Sequence, residues 1–175
     1  MTTQNHIVYL IGFMGCGKTT VGKKLAASLK WKFIDLDTKI EEKTGLTVGE
    51  LFATRGEEYF REIEAETLRV LTFDSNCVVA AGGGTPCFKE NMDFMLSAGY
   101  TIYLKLTPSQ LAARLRDSAY KRPLIQNMQG KELLEYIETK LAERAKWYEK
   151  SHLITDGFDI NISLINKQIR CYFDC

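Results

Sequence analysis

The chain has 175 residues, the size of one ordinary domain with a core large enough to be stable alone. Its 23 basic and 22 acidic residues are mixed along the sequence and leave a net charge of +1, which argues against a nucleic-acid partner. No apolar stretch is long enough to span a bilayer and the first residues do not resemble a signal peptide, so we expect no membrane partner. Five cysteines without C-x-x-C spacing indicate reduced thiols in a cytoplasmic protein.

Short apolar runs predict five buried strands, and amphipathic segments predict helices. In chain order these are strand 7–11, helix 17–30, strand 32–34, helix 57–73, strand 77–81, strand 102–106, helix 131–150 and strand 152–155. Strands that alternate with helices predict a parallel sheet covered on both faces. No linker or repeat divides the sequence, so we predict a single α/β domain over residues 1–175.

A phosphate-binding loop directly follows the first predicted strand. Residues 12–19 read Gly-Phe-Met-Gly-Cys-Gly-Lys-Thr, a complete G-x-x-x-x-G-K-T motif. The backbone N–H groups of such a loop and the N-terminus of the next helix bind phosphates, Lys18 reaches the β- and γ-phosphates, and Thr19 is the expected magnesium ligand. A plain glycine turn would require neither the lysine nor the hydroxyl. The sequence therefore predicts a nucleoside triphosphate site with contacts from Gly15, Cys16, Gly17, Lys18, Thr19 and Thr20.

Chemically unusual residues follow the second and third predicted strands. Asp35 and Asp37 come after the second strand, and a triple glycine, Gly82, Gly83 and Gly84, comes after the third. Ligands of parallel sheets bind beyond the carboxyl ends of the strands. One carboxylate there can hold magnesium and the other can orient or deprotonate a hydroxyl, although an aspartate that merely caps the next helix is the alternative. Three successive glycines favour close approach of a ligand over a simple turn.

Three arginines are further candidates for binding anions. Arg61 lies near the start of a predicted helix, Arg122 lies in Lys121-Arg122-Pro123-Leu124, and Arg144 lies in the last predicted helix. Arg61 and Arg144 are equally consistent with ordinary surface pairs to glutamates three or four residues away. Their spacing alone does not decide between these roles.

Taken together and in order, these segments resemble the shikimate kinase family, whose members phosphorylate the 3-hydroxyl of shikimate with ATP. The resemblance rests on the loop 12–22, Asp35-Leu36-Asp37, Phe60-Arg61 with Glu64, Val78-Val79-Ala80-Ala81-Gly82-Gly83-Gly84, Arg122-Pro123-Leu124 and Arg144-x-x-x-Tyr148. It extends from about residue 7 to residue 155, and the joint set is far more specific than the P-loop alone. It implies a three-layer α/β/α P-loop fold of the nucleoside-monophosphate-kinase type, with five parallel strands in the order 2-3-1-4-5, a lid at about 115–129 and substrate-binding helices.

On the nucleotide side, the resemblance implies that Lys18 is the P-loop lysine, that the Thr19 hydroxyl binds Mg²⁺, the expected cofactor of ATP, and that Asp35 holds this ion through water. Arg122 matches the lid arginine that reaches the transferred phosphate. Arg116 is expected to be a second lid arginine that contacts ATP, with Arg114 as the alternative, since neither has the usual spacing. The adenine-contacting loop is expected around residues 155–159, where no residue is diagnostic.

On the substrate side, the resemblance implies that Asp37 contacts the shikimate hydroxyls and is the candidate base. Arg61 and Arg144 match the pair that holds the carboxylate, which agrees with the affinity of forked guanidinium groups for carboxylates. The remaining contacts are expected from Gly82, Gly83 and Gly84, with Phe52 and Phe60 as an aromatic wall. The expected partners are thus shikimate and ATP, bound by a monomer.

Two departures from the family pattern and two other functions have to be considered. Ala81 stands where relatives often have threonine, and Lys146 stands where they often have proline. Another small-molecule kinase of the same fold, such as a gluconate or nucleotide kinase, would lack the combination of paired aspartates, Arg61 and triple glycine. A P-loop switch protein is disfavoured because the sequence has no N-K-x-D motif that reads guanine.

Overall fold

The computed structural model describes residues 5–71, 75–116, 125 and 127–174. Within these residues, one parallel sheet is formed by β1 (Ile7–Ile11), β2 (Lys32–Asp35), β3 (Cys77–Ala80), β4 (Tyr100–Lys105) and β5 (Leu153–Asp156). The strands lie in the order β2-β3-β1-β4-β5, and Val8 of β1 is opposite Val78 of β3 on one side and Tyr100 of β4 on the other. The predicted α/β class and strand order are confirmed, with each strand within two residues of its predicted bounds.

The central strand β1 is apolar throughout because both faces of the sheet are covered. Its residues 8–11 are completely buried. Successive side chains of a strand point to opposite faces, so Val8 and Leu10 pack into one hydrophobic cluster while Tyr9 and Ile11 pack into another.

The helices of the described chain cover the two faces of this sheet and complete three layers. They are α1 (Lys18–Leu29), α2 (Leu36–Thr44), α3 (Val48–Val70), α4 (Asn91–Ala98), α5 (Pro108–Arg116), α6 (Gly130–Tyr148) and α7 (Ile162–Phe173), with a 3-10 turn at Thr85–Cys87. Helices α1, α5 and α7 share the cluster of Val8 and Leu10, whereas α2, α3 and α4 share that of Tyr9 and Ile11. Helix α6 contributes Leu133 and Ile137 to the first cluster and Tyr148 to the second.

Helix α3 begins nine residues before the predicted helix 57–73, so the predicted start was wrong. A capping box starts it: the N–H of Glu50 donates to the Thr47 hydroxyl at 3.2 Å, and the N–H of Thr47 donates to the Glu50 carboxylate at 2.7 Å. Gly56, with φ of 82°, then interrupts the helical conformation. The helical spacing of apolar residues is broken at this glycine, which is why the sequence predicted only the part of α3 that follows Gly56.

Helices α2, α4, α5 and α7 were not predicted. They are 8 to 12 residues long, and each buries only two or three side chains. A hydrophobic repeat of so few members does not stand out from the sequence. None of the helices in the described part of the chain is both long and apolar enough to cross a membrane.

Candidate active site

The P-loop is formed where β1 ends and α1 begins. Gly15 and Gly17 have φ values of 80° and 98°, which residues with a side chain rarely adopt, and they let the loop curl before the helix. Gly17 precedes α1 and has no side chain to cap the first N–H groups of the helix, so these groups are available to a phosphate. The ammonium group of Lys18 donates to the carbonyl oxygens of Gly12 at 2.9 Å and Phe13 at 3.1 Å.

The end of β2 brings Asp35 to the P-loop. Its carboxylate accepts a hydrogen bond from the Thr19 hydroxyl at 3.0 Å and one from the N–H of Asp37 at 3.2 Å. Asp35 is therefore the N-cap of α2 and at the same time the hydrogen-bond partner of Thr19, the residue expected to bind magnesium. Of the two aspartates, Asp35 is thus the one that caps the following helix, and the side chain of Asp37 does not take part in this cap.

Asp37 lies in the first turn of α2, where its carboxyl group is largely removed from water. Burial, together with the negative charges of Glu64 and Asp35, raises its pKa to about 6 against the opposing charge of Lys18. A carboxylate with a pKa close to neutrality is suited to accept a proton at physiological pH.

Arg61 is held on α3 by two carboxylates. One terminal nitrogen donates to Glu64 at 2.8 Å and the other donates to Glu57 at 3.2 Å. The side chain of Glu64 is fully buried, and its second oxygen accepts a hydrogen bond from the Thr85 hydroxyl at 2.5 Å. This arrangement fixes the position of the guanidinium, because the buried Glu64 is itself held on both of its oxygens.

Arg144 approaches the same region from α6. Its Nη1 atom is buried and has no hydrogen-bond partner among the described residues, so a donor is available to an anionic ligand. One turn later on α6, the hydroxyl of buried Tyr148 donates to the carbonyl oxygen of Gly83. Tyr148 thereby anchors the end of α6 to the triple glycine.

The triple glycine passes between these side chains, and the close approach explains its lack of side chains. A Cβ atom at Gly84 would overlap the Arg61 guanidinium, and a Cβ atom at Gly82 would lie 2.6 Å from an oxygen of Glu64. At Gly83 a Cβ atom would lie 3.4 Å from Nη1 of Arg144. A larger residue at position 84 would therefore displace Arg61, and one at position 82 would displace Glu64, which holds Arg61.

Two adjacent cavities lie beyond the carboxyl ends of the strands, as expected for a parallel sheet. One, of about 430 Å³, contains both arginines and the aromatic pair Phe52 and Phe60, whose ring centres are 4.7 Å apart. The other, of about 330 Å³, lies over the P-loop; its lining includes Gly15, Gly17, Lys18, Thr19, Thr20 and Asp35. Asp37, Gly82 and Gly83 line both cavities.

Comparison with known proteins shows the family of the chain. The shikimate kinase family model matches residues 14–170. The chain belongs to the shikimate kinase family. It is 44% identical to the shikimate kinase of Bacteroides thetaiotaomicron over 153 residues, which are 87% of each protein, and 43% identical to that of Parabacteroides distasonis over 150 residues, which are 86% of this chain and 87% of the relative.

Solved structures of family members have the same fold over nearly the whole chain. A crystal structure of the B. thetaiotaomicron shikimate kinase superposes with a TM-score of 0.86 and 38% identity, covering 97% of this chain and 99% of the other. A structure of the Acinetobacter baumannii shikimate kinase in complex with shikimate superposes with a TM-score of 0.81 and 32% identity, covering 97% and 94%.

Among the candidate ATP-binding arginines of this family member, Arg114 is the one that the structure places on the P-loop. Its guanidinium donates to the carbonyl oxygens of Cys16 at 3.2 Å and Gly157 at 3.4 Å, and it lies 5.9 Å from the centre of the Phe158 ring. Arg116 instead lines a cavity beside the start of α6. Residues two positions apart in a helix are separated by about 200° around its axis, so Arg114 and Arg116 point in different directions. These positions favour Arg114 over Arg116 as the second arginine that contacts ATP, and this assignment stays a prediction.

Three other residues, Cys16, Leu115 and Arg122, were expected at the nucleotide site or in its lid. Cys16 is only 1% exposed, so its contact with a nucleotide would come from the backbone. Leu115, expected as the first lid residue, is a fully buried residue of α5. Arg122 lies outside the described residues.

No role was predicted for Thr85 or Tyr148, and Glu64 was considered only as a surface partner of Arg61. The structure confirms that Arg61 and Glu64 pair three residues apart on one helix, but the Glu64 side chain is fully buried instead of lying on the surface. Thr85 comes from a distant segment of the chain, so local sequence gives no sign of its contact with Glu64.

The raised pKa of Asp37 leads to a pH prediction for this kinase. Protonated Asp37 cannot accept a proton, so kcat/KM for shikimate should fall about tenfold per pH unit below pH about 6 and be level above it. Glu64→Gln removes a negative charge that raises this pKa, and the acid limb should then move to lower pH. Steady-state rates measured between pH 4.5 and 8 test this, and an acid limb that stays in place in the variant would contradict it.

Proposed function

We propose that the chain transfers the γ-phosphoryl group of ATP to the 3-hydroxyl of shikimate, giving shikimate 3-phosphate and ADP for aromatic amino-acid biosynthesis. The observation that carries this proposal is the position of Asp37 on the boundary of two cavities. One contains the P-loop with Lys18, and the other contains Arg61 and Arg144. A phosphate donor and a carboxylated acceptor bound in these cavities would meet at Asp37.

Shikimate suits the larger cavity in both charge and shape. Its carboxylate would accept hydrogen bonds from Arg61 and Arg144, and its hydroxyl groups would face Asp37 and the backbone of Gly82 to Gly84. The ring would lie against the aromatic pair of Phe52 and Phe60. Shikimate was bound in the structure of the A. baumannii relative, which supports this choice of acceptor.

The P-loop side suits ATP with Mg²⁺. Thr19 and Asp35 present a hydroxyl and a carboxylate oxygen 3.0 Å apart, and both are the hard oxygen ligands that magnesium prefers. No cluster of three metal-ligating side chains occurs in the described residues, which fits a magnesium ion that takes its other ligands from phosphates and water. Bound there, Mg²⁺ would neutralise phosphate charge. Gly15 to Thr20 would contact the phosphates, and Arg114 would contact the nucleotide.

The reaction replaces one oxygen bonded to the γ-phosphorus with another and moves one proton. The oxygen of the 3-hydroxyl bonds to the γ-phosphorus while the bond from that phosphorus to the bridging oxygen of ADP breaks, and the hydroxyl proton passes to Asp37. Lys18 leaves the carbonyl groups of Gly12 and Phe13 to bind the phosphates and stabilise the charge on the transferred group. Arg144 and Arg61 hold the acceptor in line for the attack.

The proposal also covers the lid arginine, the oligomeric state and the location of the protein. The role of Arg122 as the lid arginine on the transferred phosphate depends on its sequence motif. A monomeric state is part of the same proposal. The cytoplasm is the compartment that provides ATP to a biosynthetic kinase, and we propose it as the location.

If both arginines hold one carboxylate, replacing either with lysine should raise KM for shikimate about tenfold and leave KM for ATP within about twofold, because an ammonium cannot reproduce the planar fork. Arg55→Lys is the matched control, since Arg55 is an exposed residue of α3 beside Tyr59. Titration of both substrates on each variant measures the effect. Equal increases of both KM values would indicate a structural role instead.

A coupled assay of ADP release with magnesium-ATP tests the proposed function. Shikimate is compared with quinate, gluconate and nucleoside monophosphates at equal concentration. We expect shikimate to stimulate ADP release far more than any other acceptor. Stimulation by a nucleoside monophosphate or gluconate in place of shikimate would overturn the proposal in favour of another kinase of this fold.

A further inference from the structure

The two carboxylate-binding arginines are held in different ways. Arg61 is paired with the carboxylates of Glu57 and Glu64. Arg144 has no carboxylate partner among the described residues; its buried Nη1 atom has no hydrogen-bond partner there, and its guanidinium interacts with the hydroxyl group of Tyr148. The carbon at the centre of its guanidinium instead lies over the ring of Phe13, 5.2 Å from the ring centre. This distance is within the range of a cation–π interaction.

Phe13 is a residue of the P-loop itself. Its ring is 1% exposed, and its carbonyl oxygen accepts hydrogen bonds from the Lys18 ammonium at 3.1 Å and from the Cys16 N–H at 3.2 Å. One residue therefore contacts the lysine expected to bind the phosphates and the arginine expected to bind the substrate carboxylate.

An aromatic face positions an arginine differently from a carboxylate. A carboxylate partner occupies N–H donors in the plane of the guanidinium. An aromatic ring attracts the flat face of the cation and leaves the donors at its edge available to a ligand. The ring of Phe13 can thus orient Arg144 without competing for its hydrogen bonds.

We propose that Phe13 is a positioning residue that orients Arg144 for the shikimate carboxylate and links this site to the ATP-binding loop. The proposal rests on the function proposed above. The carbonyl oxygen of Phe13 accepts a hydrogen bond from Lys18 and its ring lies over the guanidinium of Arg144, so Phe13 is a direct contact between the P-loop and Arg144.

Replacement of Phe13 with a ring-fluorinated phenylalanine tests the role, because fluorine weakens the negative face of the ring with little change of shape. KM for shikimate should rise about 3- to 10-fold, and KM for ATP should stay within about twofold. Phe13→Leu should act in the same direction. The matched control is the same replacement at Phe94, whose ring lies 5.4 Å from the guanidinium of Arg69 in the last turn of α3, and it should leave both KM values unchanged.

A second measurement asks whether Phe13 acts through Arg144. In an Arg144→Met background, fluorination of Phe13 should no longer change kcat/KM for shikimate, a ratio that is measurable without saturation. An unchanged shikimate KM in the fluorinated protein, equal changes in the KM of both substrates, or an undiminished effect in the Arg144→Met background would each overturn the role of Phe13. Absence of shikimate-dependent ADP release from the unmodified protein would instead overturn the proposed function.

Discussion

Replacement of Lys18 with alanine should lower kcat with shikimate by a hundredfold or more. The ammonium group of Lys18 lies at the P-loop, 2.9 Å from the Gly12 carbonyl oxygen, and lines the phosphate cavity. Its removal takes away a fixed cation at the place where charge develops on the transferred phosphoryl group, and loss of one such donor typically costs a hundredfold or more.

Lys24→Ala is the matched control, because Lys24 is an exposed residue of the same helix α1. It should keep the kcat of the unmodified protein. Both variants should show the same thermal unfolding midpoint, which separates loss of catalysis from loss of folding. Retention of more than about a tenth of kcat by Lys18→Ala would contradict the role of this lysine.

Asp37→Asn should also lower kcat by about a hundredfold, since general base catalysis contributes at least this much in many enzymes. The amide has nearly the shape of the carboxylate but cannot accept the hydroxyl proton. Helix α2 should remain intact, because its N-cap is the side chain of Asp35 and Asp37 supplies only a backbone N–H to that cap.

The control for this variant is Asp93→Asn on α4, where the carboxylate is exposed and pairs with Lys150. It should leave kcat unchanged. Single-turnover rates at saturating ATP and shikimate measure the effect on the chemical step. A rate within about threefold of the unmodified protein would show that Asp37 only binds the hydroxyl groups, and the proton would then have to leave by another route.

Features encoded by local sequence were predictable. The P-loop needs glycines at positive φ, a lysine and a hydroxyl at fixed spacing, and the central strand β1 needs an apolar run because both faces are covered. The order of the strands came from resemblance to a family, since spacing alone does not determine which strands are neighbours.

Features that depend on contacts between distant segments were harder to predict from the sequence. The fully buried Glu64, which pairs with Arg61, also accepts a hydrogen bond from Thr85, and the hydroxyl of Tyr148 donates to the carbonyl group of Gly83. The contacts of Thr85 and Tyr148 each join segments that are far apart in the chain. The choice between Arg114 and Arg116 depended on which side of α5 faces the P-loop. The two aspartates likewise differ in role because Asp35 caps α2, which the sequence left open.

Identification of the product by NMR tests the central claim most directly. The protein is incubated with magnesium-ATP and shikimate, and phosphorus and proton spectra are recorded as the reaction proceeds. The account predicts one new phosphomonoester, coupled to the proton on carbon 3 of shikimate, that grows in equal amount with ADP. ADP accompanied only by inorganic phosphate, or a phosphate on another hydroxyl group, would contradict it.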